Sequence, residues 1–109
     1  MAKHTKLLAT IALLSAGVAG QAAAQTIKIG VNEPLTGPFA ASGTYVVNGA
    51  KIAADEINSK GGILGKKIEL VIEDNKSNPT EAAAVAEKLI TADKVPVIMG
   101  AWGSSLTLA

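Results

Sequence analysis

Cysteine is absent from the 109 residues, and histidine occurs once, at His4. The first absence excludes thiol chemistry and cysteine-held metals, without fixing a compartment. The second matters once the start of the chain is read as removable. The remaining residues then hold no imidazole, so histidine-based acid–base, triad and zinc chemistry are excluded from them. Aromatics are scarce as well, with one Trp, one Tyr and one Phe. The formal net charge is only +1, and the lysines are scattered rather than clustered. Such a surface offers no footprint for a polyanion, so no nucleic-acid partner is expected.

What is present begins with a leader. Lys3, His4 and Lys6 form a basic start, and Leu7 to Val18 is an uncharged, mostly apolar run. Gly20, Gln21 and three alanines follow. A run this short does not span a bilayer, and Ala22 and Ala24 satisfy the small-residue rule of the secretory peptidase. Residues 1–24 are therefore expected to be a signal peptide, cut between Ala24 and Gln25. No Cys follows the run, which excludes a lipoprotein anchor. Residues 25–109 are expected to be soluble and exported, outside the cytoplasm.

Thr26 to Val31 alternates, with Ile27, Ile29 and Val31 on one face, and predicts a strand. Asn32 to Gly43 is rich in Pro, Gly and small residues and predicts a loop. Val46, Ala50, Ala53 and Ile57 carry helical spacing through Thr44 to Lys60, and Gly61-Gly62 ends it. Gly49 within that helix suggests either a close approach to a strand or no special role. Lys66 to Asp74 predicts a second strand, placed at a sheet edge by Glu69 and Glu73 on one face. Asn78-Pro79-Thr80-Glu81 announces a helix with a cap, a proline at its first position and a capping-box glutamate. Its inner stripe is Ala82, Ala86, Leu89 and Ile90. Val95 to Met99 predicts a short strand covered on both sides. Gly100 to Ser105 predicts a turn, and Leu106 to Ala109 the start of a third helix.

The order β-α-β-α-β-(α) implies an α/β fold: a parallel sheet with right-handed helical crossovers. With the second strand at an edge, the sheet order is 2-1-3 and helices cover both faces. The C-terminal ends of strands 1 and 3 then flank a crevice, where open α/β sheets bind ligands. Two loops line it, one running from Asn32 to Gly43 and one from Gly100 to Ser105. Ser104 or Ser105 at a helix start can hold an anion with a hydroxyl and backbone N–H groups, or Ser104 can simply cap its helix. Trp102 can wall a pocket or stack on a ligand, or it can close the sheet end as packing. Glu33, Asp55, Glu56, Asp74 and Glu87 read as solvated or capping charges. No pair of them has the spacing of a glycosidase or a metal cage, so neither catalytic residues nor metal ligands nor a cofactor are expected.

Several stretches together resemble a known family. They are Ile27-Lys28-Ile29-Gly30-Val31, Pro34-Leu35-Thr36-Gly37, Ala53-Ala54-Asp55-Glu56-Ile57-Asn58, Gly61-Gly62-Ile63-Leu64-Gly65-Lys66-Lys67-Ile68, Asp74-Asn75 and Asn78-Pro79. The string from Thr26 to Ala109 is similar to the N-terminal part of type I periplasmic solute-binding proteins, in the leucine/isoleucine/valine-binding branch that serves ABC importers. The resemblance implies two α/β lobes closing about a hinge on an amino acid, an amide or a small carboxylic acid. Residues 25–109 would be the first, incomplete part of the N-terminal lobe. It also implies a partner permease in the membrane, and a monomer is expected for the complete protein.

By the same resemblance, Ser104 holds the ligand's carboxylate, with backbone at Gly103 and Ser105 nearby. Trp102 stands where relatives face the ligand, and Ser42 where some carry a covering aromatic. The disulfide of some amino-acid binders falls at Ser77 and Gly103. Ser42 and Trp102 leave amides, urea-like solutes and aromatic acids open as ligands beside the branched-chain amino acids. An enzyme of Rossmann-like or flavodoxin-like type is the competing class. The chain shows neither G-x-G-x-x-G after the first strand, nor a Walker sequence, nor a nucleophile–base pair. The sensing domain of a receptor is the other alternative. The third helix breaks off at Ala109, from which a fragment of a longer protein is expected.

Overall fold

A computed structural model describes residues 25–109, so the leader assigned to residues 1–24 lies outside the described residues. The elements are β1 (Ile27–Glu33), α1 (Ala40–Ser59), β2 (Ile68–Asp74), α2 (Pro79–Thr91), β3 (Ile98–Gly100) and α3 (Ser104–Thr107). They build a parallel three-stranded sheet in the order β2-β1-β3, as the sequence predicts. β1 and β2 pair without a break from Ile27↔Ile68 to Glu33↔Asp74. β3 meets β1 only from Gly30↔Ile98 to Asn32↔Gly100. Side chains alternate across β1. Ile29 opens toward α1, whereas Gly30 lies under Leu89 of α2 and Asn32 reaches Ala82 of α2. The two long helices therefore cover opposite faces.

β1 runs two residues further than the alternation predicts and takes in Asn32 and Glu33. Both are buried, against the expectation of a loop for Asn32 and of a solvated charge for Glu33. Partners from distant segments make that burial possible, and no local pattern announces them.

α1 starts at Ala40, four residues before the expected Thr44, so Ser42 and Gly43 are helical rather than loop. Phe39 is its N-cap and makes no side-chain cap bond. Ser77 supplies one from outside, its Oγ accepting the Phe39 N–H at 3.1 Å. Of the two readings of Gly49 the structure supports no special role, and a close approach lies instead at Gly43, against the chain at Pro34. A Cβ at Gly43 would lie 1.9 Å from the Pro34 carbonyl oxygen, while one at Gly49 meets nothing within 4 Å. Gly49→Ala should thus stabilise the intact protein by about 0.5–1 kcal/mol, read as a higher urea midpoint. An unchanged or lower midpoint would contradict this.

The buried positions of α1 are Gly43, Val47 and Ala54. The expected stripe is displaced: Val46, Ala50 and Ile57 are half-buried and Ala53 is exposed. Ala50, Ala53 and Ile57 still face the sheet. They border, with Ile29, Leu70 and Met99, an open apolar hollow of about 130 Å³. α1 ends as predicted, with Gly61 and Gly62 at φ 99° and 82°. Their N–H groups donate to Asn58 O at 3.1 Å and Ile57 O at 2.9 Å. Asn58 then grips the start of β2, accepting from Ile68 N at 2.7 Å and donating to Ile68 O at 2.8 Å.

The charged side chains of edge strand β2 are partnered. Glu69 accepts from the Thr26 hydroxyl at 2.8 Å, and Glu73 pairs with Lys88. α2 begins as its sequence predicts, Asn78 Oδ1 accepting the Glu81 N–H at 3.1 Å. The return half of a capping box is not made, because Glu81 pairs with Lys76 at 3.3 Å instead. Its buried residues are Ala82, Val85 and Leu89. Ile90 is 59 % exposed and Ala86 half-buried, so Val85 replaces Ile90 in the inner stripe.

β3 is shorter than predicted and is not covered on both sides, since Ile98 and Met99 are half-buried and Val97 is exposed. Pro96 has no N–H to give the ladder, which delays pairing. The Val97 carbonyl nonetheless accepts the Gly30 N–H at 3.0 Å. No helix among the described residues is long and apolar enough to cross a membrane.

Candidate functional site

The parallel strands deliver three loops to one end of the sheet: 34–39 after β1, 75–78 after β2 and 101–103 after β3. Asp74, the last residue of β2, fastens the first of these. Its carboxylate accepts from Leu35 N at 2.8 Å, Thr36 N at 3.2 Å, Thr36 Oγ1 at 2.6 Å and Lys76 N at 2.7 Å. Ser77 adds a second tie, its hydroxyl donating to Thr36 O at 2.7 Å while accepting from Phe39. Behind these, the fully buried Asn75 donates to Asn32 Oδ1 at 3.0 Å and accepts from Ser77 N at 3.1 Å. Asn32 in turn donates to Ala82 O at 2.9 Å.

Burial pushes the Asp74 carboxyl up, but the Thr36 hydroxyl and the N–H groups of Lys76, Leu35 and Thr36 outweigh it. The net position is below the ordinary Asp value. A lowered folded pKa adds stability above the unfolded pKa, and that stability fades as pH falls through the folded value. Asp74→Asn should remove about 2 kcal/mol at neutral pH and flatten the urea midpoint's acid dependence below about pH 4. An acid limb of unchanged depth in the variant would contradict the clasp. Glu33 acts with the opposite sign. Burial raises its carboxyl, the Trp102 N–H only partly offsetting this, so its ionisation burdens the fold increasingly as pH rises through the raised value.

The turn after β3 brings Trp102, Gly103, Ser104 and Ser105 together. Trp102 is 43 % exposed and packs on Phe39, with ring centroids 5.2 Å apart at an interplanar angle of 56°. Its N–H donates to Glu33 Oε2 at 3.0 Å. Gly103, at φ 102°, is the N-cap of α3, and no side chain caps that helix. Ser104 is thus the first helical residue and not a cap, and both serines are exposed. Ala101, Gly103, Ser104, Thr107 and Leu108 border an open hollow of about 340 Å³. Thr107 braces its rim, Oγ1 donating to Ala101 O at 2.6 Å. Ser42 is half-buried in the first turn of α1, and neither it nor Trp102 nor Ser105 borders this hollow, which takes in only Gly103 and Ser104 of the expected ligand residues. Asp74, Asn75 and Ser77, which also shape the site, lie outside the two loops that the sequence places at the crevice.

The chain and its fold have parallels among known proteins. The family model for periplasmic binding proteins matches residues 26–109. The chain belongs to the periplasmic binding protein family. A Leu/Ile/Val-binding protein of Rhizobium johnstonii is 46 % identical over 74 residues, covering 68 % of this chain and 20 % of its own length. A leucine-, isoleucine-, valine-, threonine- and alanine-binding protein of Pseudomonas aeruginosa is 40 % identical over 110 residues, 98 % of this chain and 29 % of its own. The branched-chain amino acid transporter substrate-binding protein of Streptococcus pneumoniae, solved with isoleucine, superposes with a TM-score of 0.75. It shares 49 % identity over 76 % of this chain and 24 % of its own. The chain therefore spans between a fifth and a third of the length of these family members. The sheet order and crossovers agree with that fold.

Proposed function

We propose that this chain is the N-terminal part of the first lobe of a solute-binding protein for an ABC importer, exported through residues 1–24 as its signal peptide. It captures a branched-chain or related amino acid outside the cytoplasm and presents it to a membrane permease. The observation that supports this most is the turn after β3. Ser104 is exposed, free of any capping duty, and stands on a hollow at the C-terminal end of a parallel sheet. Its hydroxyl and the neighbouring N–H groups suit a carboxylate, and Trp102, packed on Phe39 and 43 % exposed, precedes it in the same turn. The exposed Trp102 ring supports aromatic acids as a further ligand class.

Calorimetric titration of the intact protein with leucine, isoleucine, valine, their amides and aromatic acids tests the proposal. The carboxylates should bind and the amides should not. Ser104→Ala should weaken the best ligand by about 1–3 kcal/mol. Equal binding of acid and amide, or an unchanged Ser104→Ala affinity, would remove Ser104 from the carboxylate site.

A further inference from the structure

Glu33 is a carboxylate with a task that solvation or capping does not describe. It sits at the last position of β1 and is 1 % exposed. Its Oε2 holds the backbone N–H of Trp102, 69 residues away in sequence, at 3.0 Å. Its other oxygen lies against the β3 end, 3.0 Å from where a Cβ on Gly100 would stand. Gly100 adopts φ 123°, and a Cβ there would also fall 2.1 Å from Asn32 O, so backbone and carboxylate meet only because this residue is glycine. The Trp102 ring in turn rests on Phe39, at the N-cap of α1.

A neutral acceptor would satisfy one N–H with less loss of hydration than a buried carboxylate incurs. What the glutamate side chain supplies in that place is a fixed reach from a strand end to a turn. The turn it fixes is the one that carries Trp102 and leads directly into Ser104.

We propose that Glu33 is a positioning residue for the ligand crevice: by holding the Trp102 N–H from the end of β1, it sets where the indole and the adjoining Ser104 turn stand. It rests on the ligand-binding reading above, but part of its test does not. Reach is the decisive property. Gln keeps an acceptor oxygen at the same distance, whereas Asp keeps the charge and is one methylene short.

The test uses the intact protein labelled with 5-fluorotryptophan, its Trp102 resonance assigned by loss in Trp102→Phe. Glu33→Gln should leave that resonance near its wild-type position. Glu33→Asp and Glu33→Ala should move it and broaden it in proteins that still melt cooperatively. Calorimetry with L-leucine should show about tenfold weaker binding for Asp and Ala and near-native binding for Gln. A Trp102 resonance unmoved in Glu33→Asp, or moved equally in Gln and Asp, overturns the proposal. Should Glu33→Ala not fold, the Asp and Gln pair decides alone. Should wild-type protein ignore L-leucine, the ligand reading fails for that solute, and the resonance still decides the role of Glu33.

Discussion

Gly43→Ala should destabilise the intact protein by about 3 kcal/mol. The added Cβ would lie 1.9 Å from Pro34 O and 2.7 Å from Pro34 C, and neither is a flexible side-chain end that could swing away. α1 must lift or the chain at Pro34 must move. Pro34 is buried at the root of the loop that carries Phe39 against Trp102, so either response loosens that aromatic contact. The midpoint of urea unfolding should fall, and ligand affinity with it. Gly49→Ala, six residues on in the same helix, should shift the midpoint the other way. Identical effects at the two glycines would mean that α1 does not press on the chain at Pro34.

Asn75→Ala should be nearly as costly. Its amide is fully buried and spans two partners, so truncation strands Asn32 Oδ1 and the Ser77 N–H together. One buried and one half-buried group left unpaired correspond to a loss of about 2–3 kcal/mol. Asn75→Asp keeps the acceptor for Ser77 but sets a carboxylate oxygen against Asn32 Oδ1, and should restore little. Thermal unfolding of both variants measures this. A near-native midpoint for Asn75→Asp would show that Asn75 does not donate to Asn32 Oδ1.

The regular parts of the fold could be read in the residues because each carries its own signal. Asn78-Pro79 caps α2, Gly61-Gly62 ends α1, and the glutamates of β2 mark an edge. Long-range contacts decide what could not be read. Asn32 and Glu33 look like loop residues, since nothing adjacent reveals that Asn75, Ala82 and Trp102 will satisfy them. The start of α1 was obscured because its cap comes from Ser77, 38 positions away. The site residues divide in the same way. Trp102, Gly103, Ser104 and Ser105 are visible as a small-residue turn after a strand, whereas Asp74 and Asn75 organise the opposite loop through contacts that spacing cannot show. The family resemblance places a disulfide of some amino-acid binders at Ser77 and Gly103. In this chain the Ser77 hydroxyl joins the loop after β1 by hydrogen bonds instead.

Grip on an acid by the Ser104 turn is the claim from which the proposed role follows. A crystal structure of the intact protein saturated with its best-binding amino acid examines it directly. The ligand carboxylate should lie within hydrogen-bond distance of Ser104 Oγ and a neighbouring backbone N–H, with Trp102 alongside. Density for the solute elsewhere, with the Ser104 turn closed over by the protein's own side chains, would contradict the account.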